Sequence, residues 1–583
     1  GSSASTVIVF IPLAFLDGVT GAFFKALSLT MAAGLVISFM VTWLAVPILA
    51  DHLLDDKDAK QKEGGRLTEW MHGKYDVIMR RILARPILIL VGIVPLVALG
   101  WVAFHQVGSG FMPSMDEGGF ILDYRSDPGT SLAETDRLLR QVETIIRANP
   151  NVDTYSRRTG TQLGGGLTEA NEGDFFIRLK PEPRAPIDEV MEQIRIQAEQ
   201  RVPGLNIEMA QLMEDVIGDL TAVPQPIQIK IFSDDTAVLK SLAEKTAAAI
   251  ARIKGVVEIR DGINPAGDAL DIQVNRVKAS LEGVDPEAVT RMVQDALAGH
   301  VTTQIREGVK MVGVRVWIPE QLRSTENDLG QLLLRAPDGH LFPLKRVARI
   351  STISGQPQIG RENFKRMVAV TARISGRDMG STIADVKRVM DAPNMLPHGV
   401  YYELGGLYQQ QQIAFKGLMA VFAAAVALVF LLLLFLYERF QIALSIMAIP
   451  LLSISAVFIG LWATGIELNI SAMMGMTMIV GIVTEVAIFY FSELQSLPAG
   501  MARAEALIEA GKNRMRPIAM TTLAAILTLL PLALAIGQGS AMQQPLAIAI
   551  ISGLVVQLPL VLLVMPVLFS LLEKTEKRAN RNA

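Results

Sequence analysis

Long apolar runs constrain this sequence more than any other feature. A run of about twenty apolar residues is long enough to cross a bilayer as a helix, so each such run is a candidate span. Complete candidate spans lie at 25–50, 86–105, 416–437, 443–464, 470–494, 516–536 and 545–572, and a partial one lies at 4–16. With 51% hydrophobic and 19% charged residues, the chain is more apolar than an ordinary soluble domain. These runs predict a polytopic α-helical membrane protein and exclude a soluble enzyme.

The charges of the connecting loops predict the orientation of the chain. Lys and Arg are concentrated in the connections 51–85 and 495–516 and in the tail 573–583, whereas the alternate connections contain none. The positive-inside rule places the basic segments in the cytoplasm. The long segment 106–415 then lies on the outer, periplasmic side.

Charge and cysteine content argue against a nucleic-acid partner and against cysteine chemistry. The net charge of −3 gives no reason to expect a nucleic-acid partner. Cysteine is absent, so the chain holds neither disulfides nor thiolate metal sites. The apolar runs predict the lipid bilayer as a partner.

The segment 106–415 has the composition of a soluble α+β module. Its strand-like and helical patterns recur twice in the order strand, helix, strand, strand, helix, which is typical of ferredoxin-like split βαβ units. The first unit has strands at 119–127, 152–158 and 174–181 and helices at 131–148 and 187–201. The second has strands at 226–233, 256–262, 365–374 and 400–404 and helices at 237–253 and 382–390. Residues 276–364 interrupt the second unit and predict an inserted subdomain.

An internal repeat relates the two ends of the chain. At a fixed offset of 519 residues, the N-terminal segment matches the C-terminal one without a gap, in pairs such as Pro12 with Pro531 and Gly18 with Gly537. Glycine and proline recurring at one offset through two spans indicate duplication rather than shared apolar composition. We therefore expect the last two spans of one repeat and the whole of the next.

These features together resemble the RND (resistance–nodulation–division) efflux permeases. The stretches that carry the resemblance are 10–24, 108–120, 127–143 and 514–537, and residues 226–377 look most like the heavy-metal efflux branch. The resemblance implies the C-terminal half of such a permease, from the fifth to the twelfth membrane helix, with four further spans upstream.

The resemblance also implies a division into parts. These are 1–50, the end of the first membrane repeat with the fifth and sixth helices; 51–85, a cytoplasmic connection; 86–105, the seventh helix; 106–225, a periplasmic porter subdomain; 226–275 and 365–404, a second porter subdomain; 276–364, a docking subdomain; 416–572, helices eight to twelve; and 573–583, a cytoplasmic tail.

By the same resemblance, the protein is a secondary active transporter of the bacterial inner membrane. Proton motive force, with no cofactor, is expected to drive substrate from the periplasm or inner membrane toward an outer-membrane channel. The expected partners are that channel, a periplasmic adaptor (membrane fusion) protein and two further copies in a homotrimer. Heavy-metal cations and amphipathic organic molecules both stay open as substrates. Protein-translocation or lipid-sensing machinery built on the same membrane fold is the alternative from another class.

One ionisable residue, Glu485, lies deep inside a span. A carboxylate at bilayer depth is costly and normally serves an ion pathway or a proton relay. The RND relay motif also matches Arg514 and Thr521, although many drug exporters carry a lysine where this chain has Glu485. A structural role is the alternative for each, because an arginine at a membrane interface and a threonine bonded to its own helix are common.

Methionines crowd the span that contains Glu485. Met474, Met478 and Glu485 are spaced for one helix face. Thioethers suit soft ions such as Cu(I) and Ag(I), so Met474 and Met478 are candidates for a soft-metal path. Flexible apolar packing is the commoner use of methionine. No cluster of histidines or carboxylates predicts a metal site, so the metal ligands stay unknown from the sequence.

Overall fold

The structure is a computed structural model. It describes residues 2–16, 18–53, 65–160, 169–221, 225–263, 268–354, 358–498, 500–537 and 539–582. Part of the predicted connection 51–85, residues 54–64, lies outside the described residues.

The helices of the described chain fall into long apolar rods and shorter amphipathic elements. In chain order they are α1 Ser2–Leu13, α2 Gly18–Leu53, α3 Arg66–Ala84, α4 Leu90–Gln106 (preceded by a 3-10 turn, Pro86–Ile89), α5 Leu132–Ala148, α6 Ile187–Arg201, α7 Leu212–Thr221, α8 Thr236–Ile250, α9 Arg276–Leu281, α10 Pro286–Ala298, α11 Glu326–Gly330, α12 Leu344–Val347, α13 Met379–Met390, α14 Gly406–Tyr437, α15 Phe440–Thr464, α16 Ile470–Ser496, α17 Arg503–Ala533, α18 Gln544–Pro559 and α19 Met565–Asn582. Further 3-10 turns occupy Glu320–Leu322 and Ser540–Gln543, and a π-helical segment, Leu560–Val564, joins α18 to α19.

The strands all lie between α4 and α14. They are β1 Gly119–Ser126, β2 Val152–Thr159, β3 Glu172–Leu179, β4 Leu205–Gln211, β5 Ile227–Phe232, β6 Val256–Arg260, β7 Asp268–Val274, β8 His300–Glu307, β9 Lys310–Val316, β10 Leu333–Arg335, β11 Leu341–Pro343, β12 Ala348–Ser354, β13 Gly360–Glu362, β14 Lys365–Ile374 and β15 Tyr401–Gly405.

The predicted membrane spans are confirmed as helices. Within the described residues, seven helical segments are long and apolar enough to cross a membrane, namely Phe24–Leu53, Pro86–Gln106, Gly406–Tyr437, Phe440–Thr464, Ile470–Ser496, Arg503–Ala533 and Ser540–Lys574. Ala4–Leu13 is a shorter apolar helix. Most side chains of α16 are buried, because α1, α14, α15, α17 and α18 all pack against it. The helix that carries Glu485 is therefore the centre of the bundle.

The backbone reproduces the internal repeat. Gly18 and Gly537, which are related by the 519-residue offset, both have left-handed φ angles, +72° and +104°. Each stands at the turn from one apolar helix to the next: Gly18 is the first residue of α2, after α1, and Gly537 lies between α17 and α18. Only glycine adopts such angles without strain, which explains why it recurs at this turn.

The first α+β unit is a four-stranded antiparallel sheet with the strand order β2-β3-β1-β4. This is the order of a ferredoxin-like unit, so the predicted fold is confirmed, with β4 as a strand that the sequence patterns did not single out. Helices α5 and α6 cover one face, where residues such as Leu139, Val142 and Ile194 form a core with Phe120 and Phe175.

The second unit repeats this design around β14 and β5. Its path is β13-β14-β5-β15, with β6 also paired to β14, and α8 and α13 contribute to its core. The interruption differs from the sequence expectation at both ends. Strand β7, placed in the unit by the sequence, pairs with β12 in a separate ladder, whereas β13, placed in the insertion, joins the sheet. Alternation of apolar residues predicts a strand but not its partner. The sheet to which β7 and β13 belong is therefore seen only in the strand pairing of the structure.

Candidate functional site in the helix bundle and the cleft above it

Glu485 lies near the middle of α16 and points toward α1. Its Oε2 accepts a hydrogen bond from the Thr6 hydroxyl at 3.2 Å. Gly481, one turn earlier, allows α1 to come this close, because a Cβ there would lie 3.2 Å from the Thr6 Cα. Among the described residues, Glu485 forms no ion pair. In the part of the chain that the structure describes, the Glu485 carboxylate is therefore held by a neutral hydroxyl and not by a cation.

Arg514 is not brought to Glu485. Its guanidinium pairs with Glu493 on α16, with Nε at 3.0 Å and NH2 at 2.8 Å from the same carboxylate oxygen, and Asn513 donates to the other oxygen at 2.9 Å. Eight residues separate Glu493 from Glu485, which is about 12 Å along a helix. The structure thus gives Arg514 a partner near the inner end of the bundle, two turns from the membrane carboxylate.

Thr521 has a local hydrogen bond. Its hydroxyl donates to the carbonyls of its own helix, Pro517 at 3.1 Å and Ile518 at 3.0 Å, and its side chain is exposed in this chain. The next residue, Thr522, is 8% exposed, and its hydroxyl has no hydrogen-bond partner among the described residues. Sequence reasoning missed Thr522 and Thr6, for which the only signal was a hydroxyl residue within an apolar run.

Met474 and Met478 lie in the buried core of the bundle. They are 0% and 7% exposed and belong to the large apolar cluster that includes Met473 and Met476. Among the residues that the structure describes, no group of three or more His, Cys, Asp and Glu side chains is arranged to hold a metal ion. The methionine stripe thus has an apolar environment that suits packing, and its use as a metal path stays a prediction.

A charged cleft lies between the two sheets. A cavity of about 530 Å³ is lined from the first sheet by Met209 and Gln211 and from the second by Glu258 and Arg373. Arg373 is buried and joins the two sheets, since its Nε lies 3.0 Å from Glu208 on β4 and its NH1 lies 2.7 Å from Glu214 on α7.

One carboxyl group of the cleft and one of the first sheet have raised pKa values. Burial raises the pKa of Glu258, which lines the cavity, to about 7, against the opposing effect of Arg373. Burial, with the nearby charges of Asp215 and Glu208, likewise raises the pKa of Asp123, opposite Glu208 in the first sheet, to about 7. Groups of this kind change protonation easily in use and are often functional.

The floor of the cleft is joined to the membrane bundle by a backbone junction at residues 108–111. Gly110 N donates to Leu468 O at 3.1 Å, and Leu468 N donates to Gly108 O at 2.8 Å, so this segment pairs with the loop that begins α16. Ser109 N donates to Asp378 at the start of α13 at 3.2 Å. The helix of Glu485 and a helix of the second sheet therefore meet on one short segment.

Glu467 belongs to that loop and faces the cavity. Burial, together with the charge of Asp378, raises the pKa of its carboxyl. It is a further titratable group, missed in the sequence because it lies outside the apolar spans, and it lies between the bundle and the cleft.

The comparisons with known proteins decide which proteins share this architecture. The model of the AcrB/AcrD/AcrF family matches residues 1–573. The chain belongs to the AcrB/AcrD/AcrF family. This confirms the RND resemblance, and it makes the chain a multi-pass membrane protein of a bacterial family of transporters rather than of enzymes.

Curated relatives within this family include metal-resistance proteins. The chain is 28% identical over 587 residues to the cobalt-zinc-cadmium resistance protein CzcA of Cupriavidus metallidurans, an alignment that covers 98% of this chain and 55% of CzcA. It is 30% identical over 588 residues to protein HelA of Legionella pneumophila, covering 98% and 55%. The multidrug resistance protein MdtC of Pectobacterium carotovorum is more distant, at 25% over 552 residues, covering 93% and 53%. The chain thus spans about half the length of these relatives.

Solved structures support the same fold. The crystal structure of a heavy metal efflux pump matches with a TM-score of 0.81 at 22% identity, covering 98% of this chain and 57% of that one. This likeness concerns the arrangement of helices and sheets, and the AcrB/AcrD/AcrF fold is therefore shown along nearly all of the chain.

Proposed function

We propose that this chain is part of a proton-driven efflux transporter of the bacterial inner membrane that exports heavy-metal cations. The observation that carries the proposal is Glu485, a carboxylate in the middle of the central helix without an ion-pair partner among the described residues. An ionised carboxylate at that depth costs about 2.5–3.5 kcal/mol even on lenient scales. Protonation removes this cost, so each proton taken up or released changes which bundle conformation is favoured.

The junction at residues 108–111 supports a route from the bundle to the cleft. A ligand or proton shifts an equilibrium only by its differential interaction with two states. Movement of α16 on protonation of Glu485 would be passed through the Gly110–Leu468 and Ser109–Asp378 hydrogen bonds to the second sheet. The cleft between the sheets would then open and close as protons pass.

The domain roles follow from this proposal. Residues 106–225 form one porter subdomain. The sheet of β5, β6, β13, β14 and β15 forms the second, and the segment from β7 to β12 forms a docking subdomain on the periplasmic side. The working unit is proposed to be a homotrimer with a periplasmic adaptor and an outer-membrane channel. Membership of the family, whose pumps generally work in three-part assemblies, supports these partners.

Metal cations are proposed as the substrate because the cleft carries carboxylates. Asp188, Glu214 and Glu467 line the cavity, and carboxylate oxygens bind divalent cations better than they bind apolar molecules. Relatives named for cobalt, zinc, cadmium and nickel resistance support this class. The relation to MdtC keeps organic compounds as the second candidate.

The test uses a full-length transporter, in which this chain is joined to the part of its relatives that it does not span. Glu485→Gln should abolish efflux at normal expression, because the amide keeps the shape and can accept the Thr6 hydrogen bond but cannot titrate. The matched control is Glu438→Gln, an exposed carboxylate at the end of α14. Wild-type efflux by Glu485→Gln would remove this residue from the relay.

Substrate class is measured separately. A host lacking its own pumps is challenged with Co, Zn, Ni, Cu and Ag salts and, in parallel, with dyes and detergents. We expect protection against metal salts. Protection against the organic compounds alone would contradict the metal proposal and favour the second candidate.

A further inference from the structure

Gln557 on α18 is a buried amide without partners. Its side chain has no exposed surface, and neither its amide oxygen nor its amide nitrogen has a hydrogen-bond partner among the described residues. The side chain is thus already enclosed by the helices of this chain. Buried polar groups in native proteins are nearly always hydrogen-bonded, and ordered water fills the role where protein does not.

The depth of Gln557 follows from helix packing. A Cβ at Gly475 would contact Ala549, and a Cβ at Gly553 would contact Ile479. Both pairs differ by 74 residues, so α16 and α18 run parallel. Gln557 is one turn past Gly553 and is therefore level with residue 483, only about 3 Å along the helix axis from Glu485.

Thr522 lies on the neighbouring helix α17, further into the bundle than the contacts that join α17 to α16. These contacts are the pair Glu493–Arg514 and the hydrogen bond from the Tyr490 hydroxyl to Leu507 O at 2.6 Å, and they show that the two helices run antiparallel. Eight residues outward from Glu493 is Glu485, and eight residues onward from Arg514 is Thr522. Its hydroxyl, like the amide of Gln557, is buried without a partner among the described residues.

Helices α17 and α18 pack against the same side of α16. At about 100° per residue, the face that meets α17 at Glu493 and the face that meets α18 at Gly475 are each about 80° from the face of Glu485. Thr522 and Gln557 therefore belong to the two helices that cover the side of α16 next to the Glu485 face.

The inner continuation of this layer is polar as well. Pro559 has no N–H for the helix, and the π-helical segment Leu560–Val564 follows it; such interruptions are frequent at functional sites. Within that segment the Leu562 carbonyl accepts a hydrogen bond from the Tyr75 hydroxyl at 3.0 Å. Tyr75 belongs to α3, whose Asp76 pairs with Lys512 at 2.8 Å.

We propose that Thr522 and Gln557 bind water in the interior of the bundle, and that this water connects Glu485 with the cytoplasmic end. The water site itself stands without the proposed function, whereas its use as a proton path rests on it. A proton leaves the Glu485 carboxyl by breaking its O–H bond to a water molecule that accepts it. Each water along the path then takes one proton and gives up one, so that one proton reaches the cytoplasm for each one released.

The water is tested directly by X-ray hydroxyl-radical footprinting of the whole 583-residue chain in nanodiscs. Radicals form from bound water, so buried side chains beside it oxidise although bulk solvent cannot reach them. We expect Ile518, Val483 and Leu554 to oxidise several-fold faster than Val429 and Leu433, which are equally buried in apolar surroundings. Equal rates in the two groups would show a dry site and overturn the proposal.

Variants connect the signal to the two side chains. Thr522→Val with Gln557→Leu keeps the side-chain volume and replaces unpartnered polar atoms by apolar ones, so this variant should fold at least as well as the wild type. The oxidation rates of Ile518, Val483 and Leu554 should fall to those of Val429 and Leu433. The control is Thr528→Val with Ser552→Ala, whose hydroxyls are bonded within their own helices, and its rates should not change. Loss of the signal in the control, or its persistence in the test variant, would contradict the assignment.

The proton role is measured with a pH-sensitive dye inside proteoliposomes of the full-length transporter. The test variant should lose proton flux several-fold while the control keeps it. Normal flux in a test variant that has lost its footprint would refute the path and leave the water site in place. Failure of Glu485→Gln to stop efflux would refute the proposed function instead, so the two failures are distinguishable.

Discussion

Arg373→Met is predicted to destabilise the α+β region by about 3 kcal/mol at pH 8. The guanidinium is 8% exposed and interacts with Glu208, 6% exposed, and with Glu258, 4% exposed and 3.7 Å away. Removing one partner of a buried ion pair costs about 3–5 kcal/mol, because the remaining charge is left uncompensated. The lower end applies here, since Glu208 keeps Arg260 at 3.3 Å and Gln225 at 3.0 Å.

The penalty should grow with pH. The pKa of Glu258 is raised in the fold from an ordinary 4.5 to about 7, so its contribution to stability is fully present below about pH 4.5 and is lost as the pH rises through about 7. Arg373 opposes that shift, and removing it pushes the folded pKa higher still. At pH 5 Glu258 is protonated in both the wild type and Arg373→Met, so it contributes little to the difference in their stabilities. At pH 8 the variant must either ionise Glu258 without the nearby Arg373 charge or keep it protonated, and both raise the free energy of the fold.

The assay is native-state hydrogen exchange of the β4 and β14 amides in detergent-solubilised chain, with intrinsic exchange rates corrected for pH. Arg366→Met on the same strand is the control, because that guanidinium donates to an exposed backbone carbonyl, Asp234 O, and its cost should stay below about 1 kcal/mol. Adding Glu258→Gln to Arg373→Met should recover part of the loss. A cost for Arg373→Met that matches the control, or that does not rise between pH 5 and pH 8, would refute the reasoning.

Two further predictions concern topology and the methionine stripe. The chain lacks cysteine, so a single cysteine at Val309, the 99% exposed tip of the β8–β9 hairpin, should react with an impermeant maleimide on intact spheroplasts, and one at exposed Lys74 in α3 should not; the reverse pattern would invert the proposed orientation. Met474→Leu with Met478→Leu conserves volume and should cost under about 1.5 kcal/mol. Normal metal resistance in that variant is expected if the stripe is packing, and a sharp loss measured as minimal inhibitory concentration would instead support a soft-metal path.

The amino-acid sequence by itself determined the parts that depend on local pattern. The apolar runs predicted the spans because the bilayer requires a minimum length of apolar helix, and the alternating segments located most strands of the two ferredoxin-like units. Glu485 stood out because a carboxylate within an apolar run is costly wherever the helix packs. The duplicated glycines at 18 and 537 were visible before their shared left-handed turn was known.

Tertiary structure decided what depends on contacts between distant segments. Helix phase and register select Thr522 rather than Thr521 as the buried hydroxyl, and they enclose Gln557 without a partner among the described residues. Pairing excludes β7 from the second sheet and includes β13. Arg373 becomes an inter-sheet bridge only because β14 and β4 meet at the cleft, 165 residues apart in sequence. A sequence pattern specifies which face of an element is apolar, whereas the partner of that face is fixed by packing against the rest of the chain.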